Sequence, residues 1–476
     1  MTDAAELAAA PRAFVAAAAG CGKTHLISEA VCRFGTRRDL VLTHTHAGVQ
    51  ALRNKIQRIE NRVAEVAVET IAAWALRYAS AFPKTSGLQT QQPKTNLEWN
   101  CVYAAARKIL LVKHVRDVLK ASYSGVYVDE YQDCSTEQHA LLLALADAIP
   151  TRLLGDPLQG IFDFGQNRPV NWELDVCANF AELSPITRPW RWETKNPQLG
   201  QWLASARQAL LRGHPIHLDY PVRWVRLLSA NPIGCQVSEC VGIARREPGS
   251  VVAIHNVANQ VHYLAGRLLG FYQCAEPIEL EDLFQNGMLI ETSHGPARAA
   301  AVIDFAEKCM TRVGPALRQA CNAYRLGDIP RTRAGLLADV HGALRRVAED
   351  DSLSTVIDAL TVLRHFPNAI MYRRELFNEM VRGLRASILG SNVSLQDSLW
   401  IIRNRSRFSG RRVARCVVGT TLLVKGLEFD HAIILNAEDM DLNDLYVALT
   451  RGSRSLTVFS SAQTLTPMQR RNRGTA

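Results

Sequence analysis

No stretch of the chain reaches the ~18 apolar residues needed to span a bilayer, and no charged-then-apolar leader opens it. The alanine-rich segment from Ala4 to Ala19 is broken by Glu6, Pro11 and Arg12. Neither a membrane-embedded nor a secreted protein is expected. The eleven cysteines include no Cys-x-x-Cys pair, and the closest two are Cys235 and Cys240. That spacing argues against a disulfide frame and a paired-thiolate zinc site, and for reduced thiols in a cytoplasmic protein. His44 and His46 form a possible metal fragment without a third nearby ligand. Acidic residues are in the minority, 45 against 55 Lys and Arg, for a formal net charge of +10. Such an excess favours a polyanionic partner such as nucleic acid without identifying one, and a merely soluble basic protein is the bland alternative. At 476 residues the chain has room for roughly three domains.

Against this background one short stretch stands out. The segment "AFVAAAAGCGKTHLISEAV" reads as a short apolar strand, a small-residue turn and a helix, the context a phosphate-binding loop requires. Ala19, Gly20, Cys21 and Gly22 would bring backbone N–H groups up to phosphate oxygens at the positive end of the helix. Lys23 would meet the outer phosphates, and Thr24 would place a hydroxyl on Mg²⁺. Ala17 stands where the first glycine of the pattern is common. Cys21 puts a thiol among these amides, so activity sensitive to oxidation is expected.

The loop needs a matching acidic site, and "SGVYVDEYQD" supplies one. Val126 to Val128 pattern as a buried strand, and Asp129 and Glu130 follow at its end, where parallel α/β sheets bind ligands. Asp129 is suited to hold Mg²⁺ and Glu130 to orient and deprotonate a water molecule.

In order along the chain, "AAAGCGKT", "LTHTHAGVQALRNKI", "DEYQD", "GDPLQGIFDF", "VKGLEFDHAIIL" and "LYVALTRGSRSLTV" resemble the motif series of superfamily 1 DNA helicases of the UvrD/Rep/PcrA type. The resemblance covers about residues 13–190 and 410–460. It implies an α/β fold of two RecA-like P-loop domains sandwiching ATP, each with a mainly helical insertion. The expected boundaries are 1–190 for the first RecA-like domain, with a small insertion at about 76–123, then 191–271 and 411–476 for the second and 272–410 for its insertion.

The resemblance also assigns roles. Gln132 and Gln159 would touch or sense the γ-phosphate, and Asp156 would link that sensing to the DNA side. Arg451, and Arg191 unless it is a plain surface arginine, would close on the γ-phosphate, while Glu428 would hold the ribose. On the DNA side, His44 replaces a phenylalanine and Phe164 stands at the stacking aromatic. Trp74 is either another stacking ring or a core residue. No glutamine precedes Gln50, so the adenine-reading glutamine of the family is missing. Leu422, Ala72 and Gly165 replace the two histidines and the arginine expected near DNA, so the hydrolysis half matches better than the DNA half.

Outside these segments, Ile401 to Arg412 carries five arginines that read as a phosphate contact or a solvated loop. The tail "QRRNRGTA" reads as disordered, and no RecB-like nuclease domain is expected on the chain. The expected function is an ATP-dependent, 3′-to-5′ single-stranded-DNA translocase or helicase in repair or recombination, acting on single-stranded or tailed duplex DNA. The alternative is a DNA-responsive ATPase sensor that regulates a partner nuclease encoded nearby. In its small first insertion and altered DNA motifs the chain also resembles the helicase-like subunit of Gabija anti-phage systems. A P-loop kinase without DNA is a third, weaker reading.

Overall fold

Short, nearly continuous apolar runs build the first sheet, as strands buried on both faces require. The computed structural model describes all residues except 1, 61–62, 94, 163–167, 228–230, 278–279, 332–334, 391–392, 410–413, 467 and 469–476, and the side chains of 404–409. Strands β1 (Arg12–Ala17), β2 (Arg38–Thr43), β3 (Glu65–Thr70), β4 (Gly125–Val128), β5 (Thr151–Gly155) and β6 (Ala181–Ile186) pair in the order β3-β2-β4-β5-β1-β6. All five pairings are parallel. Because successive side chains leave a strand on opposite faces, Val15, Val41, Tyr127 and Leu154 pack with the helices Lys23–Arg33 and His46–Gln57. Phe14, Leu40, Leu42, Val126, Val128 and Leu153 face the other way, against the helices Ile71–Ala81, Asn96–Leu110 and Thr136–Ala146. Both faces are therefore covered, as a parallel sheet requires.

The stretch 101–121 lies on two successive helices. The first ends at Leu110 and the second runs Lys113–Ser122, which turns Val115 and Leu119 into the core. These helices of the expected first insertion bury their apolar faces in the core of the first sheet.

The chain divides into two compact units. The first holds Met1–Arg223, Glu438–Leu456 and the stretch from Gln463; the second holds Trp224–Ala437 and Thr457–Ala462. Residues 191–223, expected with the second core, thus belong to the first unit, as does the "LYVALTRG" segment. A two-stranded antiparallel ribbon of β7 (Ile216–His217) and β14 (Thr464–Leu465) lies in the first unit.

The second sheet has the order β10-β11-β9-β12-β13-β8, from β8 (Arg223–Arg226), β9 (Val251–Ile254), β10 (Gln273–Cys274), β11 (Cys416–Gly419), β12 (Phe429–Ile434) and β13 (Gly452–Ser460). Strands β10, β11, β9 and β12 run parallel. Val251, Ala253, Val418 and Ile433 pack with helices Pro232–Arg246 and Ala258–Arg267. A separate all-helical core, from Leu280 to Leu399, is built by successive helices between Glu281 and Ser409. Two six-stranded sheets flanked by helices are the α/β architecture of two RecA-like domains expected from the sequence. Among the described residues no helix is long and apolar enough to cross a membrane.

Candidate nucleotide-binding site

In a parallel sheet every strand ends on the same side, and the loops after β1, β4 and β5 emerge as neighbours. Residues 18–22 link β1 to the helix Lys23–Arg33. Gly20 and Gly22 adopt φ +68° and +90°, left-handed conformations that favour glycine. A Cβ on Gly20 would also lie 2.5 Å from the Trp192 ring, so backbone and packing both demand glycine there. No side chain caps this helix, which leaves N–H groups of its first turn for a ligand. Lys23 is buried and its Nζ donates to the Ala17 carbonyl at 3.1 Å, folding the ammonium back over the loop.

The Thr24 hydroxyl donates to Asp129 Oδ2 at 3.2 Å, joining the loop to the end of β4. Asp129 is buried. Burial and the adjacent Glu130 carboxylate push its carboxyl above the usual carboxylate range, against the pull of Lys23 and Thr24. A buried carboxylate in this state gains from a cation, and one carboxylate beside a hydroxyl matches the sparse protein ligation typical of Mg²⁺. The donor set therefore fits Mg²⁺ together with phosphates. Among the described residues no group of three or more His, Cys, Asp or Glu is placed to hold a metal by itself, which leaves His44 and His46 as a fragment.

Glu130 has φ +55°, uncommon for a residue with a side chain and the kind of local strain found where a side chain must be aimed. Gln132 Nε2 donates to Glu130 Oε2 at 2.5 Å, and Gln132 Oε1 accepts from the Asp156 amide at 2.9 Å. Gln159 Nε2 donates to Asp156 Oδ2 at 3.0 Å, and Arg451 Nη2 reaches Gln159 Oε1 at 3.4 Å. Arg451 also donates to Thr450 Oγ1, and Arg191 Nη1 donates to the Thr450 carbonyl at 2.8 Å. The Arg191 amide donates to Gly20 O at 3.2 Å. The first unit thus brings together Lys23, Thr24, Asp129, Glu130, Gln132, Asp156, Gln159, Arg191 and Arg451.

Glu428 is exposed just before β12 in the second unit. His44 is half-buried after β2, its Nε2 3.6 Å from Cys134 Sγ. Trp74 is fully buried and its ring stacks on Tyr78 with centroids 4.5 Å apart. Of the two readings the sequence left open, the core one holds, because the helix Ile71–Ala81 turns this ring under the sheet and leaves no face for a base. Phe164 and the tail from 469 lie outside the described residues. In the arginine-rich stretch, Arg403 is buried and paired with Glu375 and Glu379 at 2.8 and 3.0 Å, and the side chains of the other four arginines lie outside the described residues. None of the eleven cysteines forms a disulfide. The Cys21 thiol is buried, and burial pushes its pKa up to about 11. The expected oxidation sensitivity is corrected by this: the reactive thiolate is suppressed at neutral pH.

Three residues escaped the sequence reading. Tyr446 accepts the Ala19 amide at 3.1 Å, and Arg207 pairs with Asp156 at 3.0 Å. Trp190, 48% exposed, sets its indole against Gly22, with the Arg188 guanidinium 3.5 Å from a ring centroid. Tyr446 lies inside the quoted "LYVALTRGSRSLTV" segment and Trp190 precedes Arg191, but only folding reveals what they touch.

No curated protein matches the chain. A family model described as an AAA domain matches residues 2–165, the span that carries the phosphate loop, Asp129–Glu130 and Gln159. Over these residues the chain is similar to a P-loop NTPase domain, a likeness that implies nucleotide binding, typically with Mg²⁺, and ATP hydrolase activity in general terms.

Proposed function

We propose that the chain is an ATP-driven motor on single-stranded DNA, of the UvrD/Rep/PcrA type and moving 3′ to 5′. The observation that carries this reading is the convergence of Lys23, Thr24, Asp129, Glu130, Gln159 and Arg451 at one sheet edge. Lys23 and the loop amides bind the phosphates, and Thr24 and Asp129 hold Mg²⁺. The ion, when bound, supplies charge neutralisation between phosphate oxygens. Glu130, held by Gln132, orients the attacking water and takes its proton. Arg451 and Arg191, anchored on Thr450, stabilise charge as the phosphoryl group departs, and Gln159 senses the γ-phosphate. Glu428 holds the ribose. Trp190 offers a flat apolar surface beside the loop, suited to a nucleobase where the usual glutamine is missing. On the DNA side, His44 and Phe164 are the contacts proposed.

The second reading is a DNA-responsive ATPase sensor that regulates a partner nuclease in anti-phage defence, with little unwinding of its own. The burial of Trp74 favours it, because it removes one stacking platform from a DNA half already altered in sequence.

The purified chain, with Glu130→Gln as control, tests both. Under the first reading, single strands stimulate ATP hydrolysis, a tailed duplex is unwound, and Glu130→Gln loses turnover by a factor on the order of 10²–10⁴ while keeping ATP binding. Stimulation without strand displacement favours the sensor. Hydrolysis indifferent to DNA defeats both.

A further inference from the structure

We infer that Arg207 is a positioning residue for ATP hydrolysis, setting Gln159 through Asp156 and the phosphate loop through Tyr446; this rests on the hydrolase reading above. Arg207 lies on the helix Pro197–Leu211, one turn after Leu203, on the stripe of Leu199, Leu203, Ala206 and Leu210 that this helix buries. Its apolar neighbours carry the guanidinium inward, where Nη2 meets Asp156 Oδ1 at 3.0 Å.

Asp156 has no solvent exposure, so its negative charge needs a partner in place. Its two oxygens are divided. Oδ1 takes Arg207 and the Leu158 amide, while Oδ2 takes Gln159 Nε2 at 3.0 Å. The carboxylate held by Arg207 therefore fixes which way the Gln159 amide points, with Oε1 toward Arg451.

The same guanidinium lies close to the Tyr446 side chain, whose hydroxyl accepts the Ala19 amide. Ala19 N–H is one of the loop donors assigned to phosphate, so Tyr446 occupies a phosphate-facing donor of the loop. One arginine thus binds the residue after β5 that orients Gln159 and stands beside the residue that covers the loop after β1. Its Nε–H is buried with no acceptor among the described residues, a cost that a purely structural site would be better without. The planar guanidinium aims one N–H at Asp156 while its flat face fills the space beside Tyr446, and a lysine ammonium does not reproduce that geometry.

The test is steady-state ATP hydrolysis by the full chain, with ATP affinity and thermal unfolding measured alongside. Arg207→Lys keeps the charge beside Asp156 and loses the bridge. It is expected to lower kcat by roughly tenfold to a hundredfold with KM changed less than about threefold, the pattern of misplaced rather than missing groups. Tyr446→Phe, which deletes one oxygen, is expected to lower kcat in the same way and carries the test if Arg207→Lys folds poorly. The double variant should lose no more than the worse single one, because both act through one bridge. Multiplying losses overturn the inference, as does Arg207→Lys, or Tyr446→Phe in its place, with parental kcat, or a rise in KM alone. A parent chain that hydrolyses no nucleotide overturns the hydrolase reading itself, and the inference with it.

Discussion

At the scale of single residues, burial decides chemistry more than identity does. Cys21 occupies the position where a thiol looked vulnerable, yet its covered sulfur is kept protonated by desolvation. Asp39, on β2, shows the same force acting on stability. Burial pushes its carboxyl up to about 6, against the opposing pull of Arg152. Between the unfolded carboxylate pKa and this raised value, the folded chain holds a proton that the unfolded chain has released. Stability is therefore lost as pH rises through that window, by about 2–3 kcal/mol when complete. Asp39→Asn should stabilise the protein above the window and give no gain below it. Arg152 keeps the carbonyls of Ala8 and Ala10 as acceptors. Urea unfolding across pH tests this; an equal gain at every pH would count against Asp39 as the titrating group.

At the scale of elements, contacts between distant segments supply what local sequence leaves out. The loop after β10 and the start of the helix Arg374–Leu389 are joined by Arg373, which grips Glu276 through two bonds of 2.8 and 2.7 Å and reaches Asp282 at 2.7 Å. Glu276 is fully buried, so removing its partner strands a charge. Arg373→Met is expected to destabilise the second unit by about 3–5 kcal/mol, and adding Glu276→Gln should restore much of the loss. Hydrogen exchange in helices between Glu281 and Leu389 would report it. Protection unchanged by Arg373→Met would mean that the pair contributes nothing net.

For the whole molecule, the net charge of +10 bears on the partner. If the chain works on single-stranded DNA as proposed, its affinity should fall steeply with salt, with a log–log slope of about −0.7 per phosphate neutralised. Fluorescence anisotropy with a labelled oligonucleotide measures that slope. A flat dependence would leave the charge excess unrelated to nucleic acid. What the sequence by itself determined is the placement of residues within contiguous strand–loop–helix runs. The positions of Lys23 and Thr24 at the start of the helix after β1, and of Asp129 and Glu130 after β4, were legible because each pair follows a short apolar strand. The α/β class was legible for the same reason, since strand and helix periods alternate along the chain. Tertiary structure alone decided that Trp74 lies in the core, that Arg207 meets Asp156, and that Tyr446 covers Ala19 from 427 residues away. These outcomes depend on which faces are buried against which, and burial is a property of packed elements that no local spacing encodes.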